Sequence, residues 1–121
     1  MNMNDITSTD ENATISIDEF YRTDIRIGEI LSAEPIEGSD KLLRLMVSFG
    51  AGETRQILSG IARYFPDRAA LVGKHVAFVY NLKPRMLMGL ESQGMILAAS
   101  GEEGGFALLE APAVPAGVRV G

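Results

Sequence analysis

Leu42-Leu43-Arg44-Leu45-Met46-Val47-Ser48-Phe49-Gly50-Ala51-Gly52-Glu53-Thr54-Arg55-Gln56-Ile57-Leu58-Ser59 is the stretch that decides the fold. Leu43, Leu45, Val47 and Phe49 recur at every second position with Arg44 and Ser48 between them, the alternation of a strand with one buried face. Gly50-Ala51-Gly52 is a hairpin signal, because glycine supplies the positive φ that a tight reversal needs. Residues 53–59 therefore return as the neighbouring strand.

Upstream, Ile25 to Leu31 begins with Ile25 and Ile27 on one face and Arg26 opposite; Gly28 breaks the parity and predicts a bulge or bend. Ser16 to Thr23 suits a short helical turn, with Ser16 as cap and Glu19 as its capping-box partner. Downstream, Ile61, Ala62, Tyr64, Phe65, Ala69, Ala70 and Leu71 fit one or two short helices, divided by Pro66 and ended by Gly73. His75 to Tyr80 is apolar on both faces, as a central strand would be. Met95 to Ala99 reads as the fifth strand, and a turn at Gly101 to Gly105 leads to Phe106–Leu109 and a Pro-containing tail. Strand, strand, strand, helix, strand, strand is the element order of an OB-fold, an all-β five-stranded Greek-key barrel. Its short helical segment lies between the third and fourth strands, and a C-terminal extension follows the barrel. An OB-fold takes oligonucleotides on strands two and three and on two flanking loops. Here those loops are about Glu34–Asp40 and Asn81–Gly94.

The 121 residues, 46% hydrophobic and 22% charged, suit one globular domain able to bury a core. With no cysteine, disulfides, thiolate metal sites and thiol nucleophiles are excluded. The lone His75 lies without Ser-His-Asp spacing, paired metal ligands or a phosphate-cradling glycine motif, so no catalytic site, metal or cofactor is expected. No apolar run reaches the roughly 18 residues of a membrane span, and the polar start does not read as a signal peptide, which together suggest a cytoplasmic protein. The net charge is −5, but residues 1–20 hold five acids and no Lys or Arg, whereas residues 21–101 hold ten basic groups against eight acidic ones. Residues 1–16 read as an acidic flexible tail and 17–121 as the domain. The mildly basic middle is compatible with phosphate contacts, weak and salt-sensitive.

Asn81-Leu82-Lys83-Pro84-Arg85-Met86-Leu87-Met88-Gly89-Leu90-Glu91-Ser92-Gln93-Gly94-Met95 places two cations about a rigid proline, with two glycines and a Ser-Gln pair, in the second ligand loop. With Ser39-Asp40-Lys41-Leu42-Leu43 and Ser59-Gly60-Ile61 it resembles the tRNA-binding domain family. That family includes stand-alone tRNA-binding proteins and the C-terminal dimerisation domain of methionyl-tRNA synthetase, and the likeness runs from about Ile17 to the C-terminus. It implies a non-catalytic module that recognises tRNA shape and backbone. Partners would be tRNA, a second copy of the chain and an aminoacyl-tRNA synthetase, with no membrane. The initial methionine favours a free-standing version over a C-terminal fragment. Two relatives of this function remain open: a peptide-binding, export-related chaperone of the same fold, and a dimerisation domain with little RNA affinity.

The candidate RNA contacts are Lys41, Arg44, Arg55, Asn81, Lys83, Arg85, Ser92 and Gln93. Lys83 and Arg85 are read as reaching phosphates, as is Lys41 at the entry to strand two. Arg44 and Arg55 should lie on the outer face of strands two and three; Arg55, like Lys41, is read as an RNA contact ahead of Arg44, and the alternative for both is pairing across the strands with Glu53 or another acid. Asn81 either holds the loop or meets a ribose or base edge. Ser92 and Gln93 either clasp the loop or donate to RNA, with Gly94 admitting its backbone. Arg63 is a fringe candidate. Met86 and Met88 stand near positions that the family commonly fills with Lys or Arg; they either cover the barrel mouth or meet a partner. Phe106, Leu108 and Leu109 are the candidates for the extension that builds a homodimer. Phe49, Phe78 and Tyr80 read as core aromatics, which leaves few rings for stacking on bases.

Overall fold

A computed structural model describes residues 13–121. Ser16 caps a four-residue helix, α1 (Ile17–Phe20): its Oγ accepts from the Glu19 amide at 3.0 Å and the Glu19 carboxylate accepts from the Ser16 amide at 2.9 Å, the reciprocal pair read from the sequence. A strongly curled antiparallel sheet follows, built from β1 (Ile25–Pro35), β2 (Leu43–Ser48), β3 (Thr54–Ser59), β4 (His75–Val79) and, beyond a hairpin, β7 (Met95–Ile96). Its spatial order is β3-β2-β1-β4-β7. Two 3-10 turns, Ala62–Tyr64 and Arg68–Leu71, fill the expected helical position between β3 and β4, with Pro66 between them and Gly73 beyond at φ +91°.

β1 pairs with both β4 and β2 because it is long and irregular. Ile25–Glu29 pair with β4, Glu29–Pro35 with β2, and the register slips between Ile30 and Ser32. The irregularity is thus at Leu31 and not at Gly28. Gly28 has a different reason: a Cβ there would stand 2.5 Å from Val47 Cγ1 and 2.9 Å from Phe49 Cε1. It lets the backbone of β1 press against the side chains of Val47 and Phe49.

Between Asn81 and Gly94 the chain forms a hairpin, β5 (Arg85–Leu87) and β6 (Leu90–Ser92), where only a loop was expected. Its two-residue turn puts Met88 at φ 52° and Gly89 at φ 78°, the twist that matches a right-handed ribbon. The hairpin docks on β3 and completes the barrel wall. Gln56 and Gln93 exchange a backbone bond (Gln93 N to Gln56 O, 2.8 Å) and a side-chain one (Gln56 N to Gln93 Oε1, 3.1 Å). With β3 joined to residues 91–93 and β4 to residues 95–96, the connectivity is that of the expected OB-type barrel.

Inside lie Ile30, Leu43, Leu45, Val47, Phe49, Ile57, Val76, Phe78 and Ile96, a single apolar core. The expected fifth strand is split, and Ala98–Ser100 (β8) pairs instead with Phe106–Leu108 (β9) around the glycine-rich turn. The C-terminal extension then runs antiparallel beside β4: Ala77 donates to Leu109 O at 2.9 Å, Ala111 to His75 O at 2.9 Å, and His75 Nδ1 lies 2.6 Å from Val114 O. His75 is therefore a tether for the extension. The chain ends as β10 (Arg119–Val120) beside the start of β1.

Candidate nucleic-acid interface

The outer face of β2 and β3, the loop of residues 36–42 and the β5–β6 hairpin form one continuous surface. A chain of side-chain bonds runs across the strands: Arg44 Nε donates to Gln56 Oε1 at 2.7 Å, and Gln56 Nε2 donates to Glu91 O at 2.8 Å. The hairpin tip reaches the 36–42 loop, because a Cβ on Gly38 would meet the Met88 methyl at 3.4 Å. The two ligand loops of the fold are thereby brought into contact. Met88 leans across the gap, while Met86 is 66% exposed.

The eight candidate residues separate into two groups. Lys41, Lys83 and Arg85 are exposed, and none has an ion pair among the described residues. Arg44 keeps an exposed guanidinium but shares it with Glu34 across β1 and β2 at 3.5 Å. The other four serve the fold. Asn81 Oδ1 accepts from the Asp24 amide at 2.9 Å and its Nδ2 donates to Arg22 O at 2.7 Å, which fastens the loop to the approach to β1. Ser92 is buried; its Oγ accepts from the Leu58 amide at 3.0 Å and lies 3.3 Å from Gly94 O. Gln93 stands in for a strand residue against Gln56. Gly94 is needed within the protein, since a Cβ would approach Val79 O to 3.0 Å.

Arg55 corrects the sequence reading. It pairs in register with Val47, and with Ile57 and Ser59 it belongs to the inward row of β3. At the barrel's end the core gives way to a polar plug. Arg55 Nη1 donates to Tyr80 O at 2.6 Å, its Nε to Glu53 at 3.2 Å, and its guanidinium lies 3.6 Å from the Tyr80 ring centroid. Arg26 sits 4.0 Å from the same centroid and bonds Asp24 twice at 3.0 Å. Such cation–π contacts strengthen where water is partly excluded. The Tyr80 hydroxyl donates to Glu53 at 2.6 Å; this bond, then Arg55, holds the Glu53 carboxyl below its usual range, while the carboxylate and burial push the tyrosine up. Asp24 is likewise lowered, chiefly by its bond to Arg26. The i, i+2 spacing of Glu53 and Arg55 was the available signal; the arrival of Arg26 from β1 and of Tyr80 from just beyond β4 had none.

The dimerisation candidates divide as well. Leu108 is buried in the core and Phe106 stacks flat on Tyr64 at 3.9 Å, whereas Leu109 is 46% exposed. Elsewhere Ile15, Ile17, Tyr21, Val118 and Val120 are exposed apolar residues at the two ends of the described chain, and α1 buries none of its residues.

The family model described as "Putative tRNA binding domain" matches residues 25–119. A methionine–tRNA ligase of Enterococcus faecalis is 46% identical over 98 residues, which is 81% of this chain but 15% of the ligase. Thus the chain spans about a seventh of the length of such relatives. Among solved structures, a MetRS-related protein from Pyrococcus horikoshii is 41% identical with a TM-score of 0.83, covering 89% of this chain and 98% of that one. The chaperone CsaA of Bacillus anthracis is 25% identical with a TM-score of 0.78, covering 90% and 100%. The match spans the barrel, the 36–42 loop and the hairpin together, and the chain belongs to the tRNA-binding domain family.

Proposed function

We propose that this chain is a non-catalytic module that binds the backbone of folded tRNA and serves methionyl-tRNA synthetase, as a part of it or beside it. The relatives share with it only the stretch that makes up about 15% of a ligase, so the aminoacylating body lies in the remainder of those proteins. The observation that carries the reading is the pairing pattern. Cations on the two joined loops (Lys41, Lys83, Arg85) are left to solvent, while those inside the wall (Arg26, Arg55) are consumed by Asp24, Glu53 and Tyr80. Phosphates are the natural complement of such a surface, and few exposed rings suit recognition by shape. A tRNA titration at several salt concentrations tests it. The double variant Lys83→Ala, Arg85→Ala should lower the slope of log K against log salt by about 2, roughly 1 per lost phosphate contact. Absence of binding at low salt refutes the reading.

Dimerisation belongs to the same proposal. The exposed Ile15, Ile17, Tyr21, Val118 and Val120 are a better apolar face for a second copy than Phe106 and Leu108, which pack within the protomer. Sedimentation should show a dimer in the parent and a monomer in Ile17→Asp. Peptide binding is the alternative that the chaperone's similarity and the exposed Met86, Met88 and Met95 favour. It would persist in moderate salt, where tRNA binding falls. A cysteine-free chain that works on tRNA suits the cytoplasm.

A further inference from the structure

Between the 36–42 loop and the first 3-10 turn lies a cleft of about 270 Å³ lined by Asp40, Lys41, Gly60 and Arg63. Its volume is well beyond what a single bound water needs. The walls are tied together. Ala62 N donates to Lys41 O at 3.0 Å, and Ser39 Oγ accepts from the Lys41 and Leu42 amides at 3.3 and 3.1 Å. Arg63 is held by its bond to the Tyr64 hydroxyl at 2.8 Å, and Tyr64 in turn lies flat on Phe106. Yet among the described residues no ion pair joins Asp40, Lys41 and Arg63, although all three line one small space.

Gly60 supplies the second observation. Its backbone is outside the left-handed region, and a Cβ would meet nothing within 4 Å. Neither conformation nor packing in the protein calls for glycine here. What the missing side chain leaves open is the cleft floor, where a ligand's backbone can approach closely.

We propose that this cleft is a ribose–phosphate subsite. Lys41 and Arg63 take a phosphodiester oxygen, and Asp40 accepts a hydrogen bond from the 2′-hydroxyl of the same or the adjoining ribose. The assignment rests on the RNA reading above and adds to it a means of telling RNA from DNA, since the 2′-hydroxyl is the group that distinguishes them. Arg63 thereby gains a role as a ligand contact.

The test compares a tRNA-derived stem-loop RNA with its all-deoxy counterpart by fluorescence anisotropy, across a salt series. The parent should favour RNA by about 10-fold, the order of one hydrogen bond to a charged group. Asp40→Ala should bring the ratio towards 1 without weakening the DNA complex, because it also removes a negative charge. The double variant Lys41→Ala, Arg63→Ala should lower the salt slope by about 1. Gly60→Ala should weaken RNA binding several-fold at unchanged melting temperature, which separates obstruction from misfolding. An unchanged RNA-to-DNA ratio in Asp40→Ala, or an unchanged slope in the double variant, overturns the subsite; if Lys83→Ala, Arg85→Ala still lowers the slope, the RNA reading stands. No RNA binding by the parent at low salt overturns both.

Discussion

Replacing Ser92 by alanine separates a clasp from a ligand contact. Ser92 is 5% exposed, and its hydroxyl oxygen accepts from the amide of Leu58, a residue only 6% exposed. Leu58 lies on β3, on the side where the hairpin substitutes for a regular strand, and the hydroxyl takes the place of a carbonyl there. Removing it orphans a buried N–H, which costs about 1–3 kcal/mol. For a domain of this size that lowers the melting temperature by about 4–12 °C, at roughly 4 °C per kcal/mol. In urea, the midpoint should fall with the slope of the transition unchanged, because the surface exposed on unfolding is the same. A domain with about 5–15 kcal/mol to start from stays folded, so binding can be measured on the variant. Its tRNA affinity at 10 °C should change by less than about 3-fold, as the Ser92 oxygen does not face solvent. Parental stability together with a large loss of tRNA affinity would refute the reasoning and make Ser92 a contact for RNA.

Gly28→Ala should destabilise by about 1–3 kcal/mol in urea, since the new methyl meets Val47 and Phe49 side chains fixed in the core. Arg55→Met keeps the apolar stem but abandons Tyr80 O and Glu53; it should cost about 1.5–3 kcal/mol in urea and leave the tRNA salt slope as it was. Glu53 and Asp24 have lowered pKa values in the folded protein, so they bind protons less readily than in the unfolded chain. Their contribution is complete at neutral pH and is lost as the pH falls below about 4.5, through the folded values. Glu53→Gln should therefore reduce the loss of unfolding free energy between pH 6 and about pH 3 seen in the parent, measured by urea titration at each pH.

Local patterns carried much of this structure. The alternation in Leu43–Phe49, the glycines at 50 and 52, the Ser16–Glu19 box and the Pro66 break each act within a few residues, and each element formed where its pattern placed it. The hairpin within Asn81–Gly94 was hidden because Met88-Gly89 is a weak turn signal beside Asn-Gly or Asp-Gly. Arg55 was misplaced for a related reason: a charge in strand alternation normally marks the solvent face, but an inward position at a barrel's end admits one that is partnered.

The sequence by itself determined the first four strands, their order and the two loops that carry Lys41, Lys83 and Arg85. Only the tertiary structure decided which partners the polar groups of those loops find within the protein. Asn81, Ser92, Gln93 and Arg55 are taken up by partners 25–59 residues away in the chain, and Asp40, Lys41, Gly60 and Arg63 meet across a cleft that no local pattern describes. A buried hydrogen-bonding group must find a partner, and the chain's folding in three dimensions determines which one is within reach.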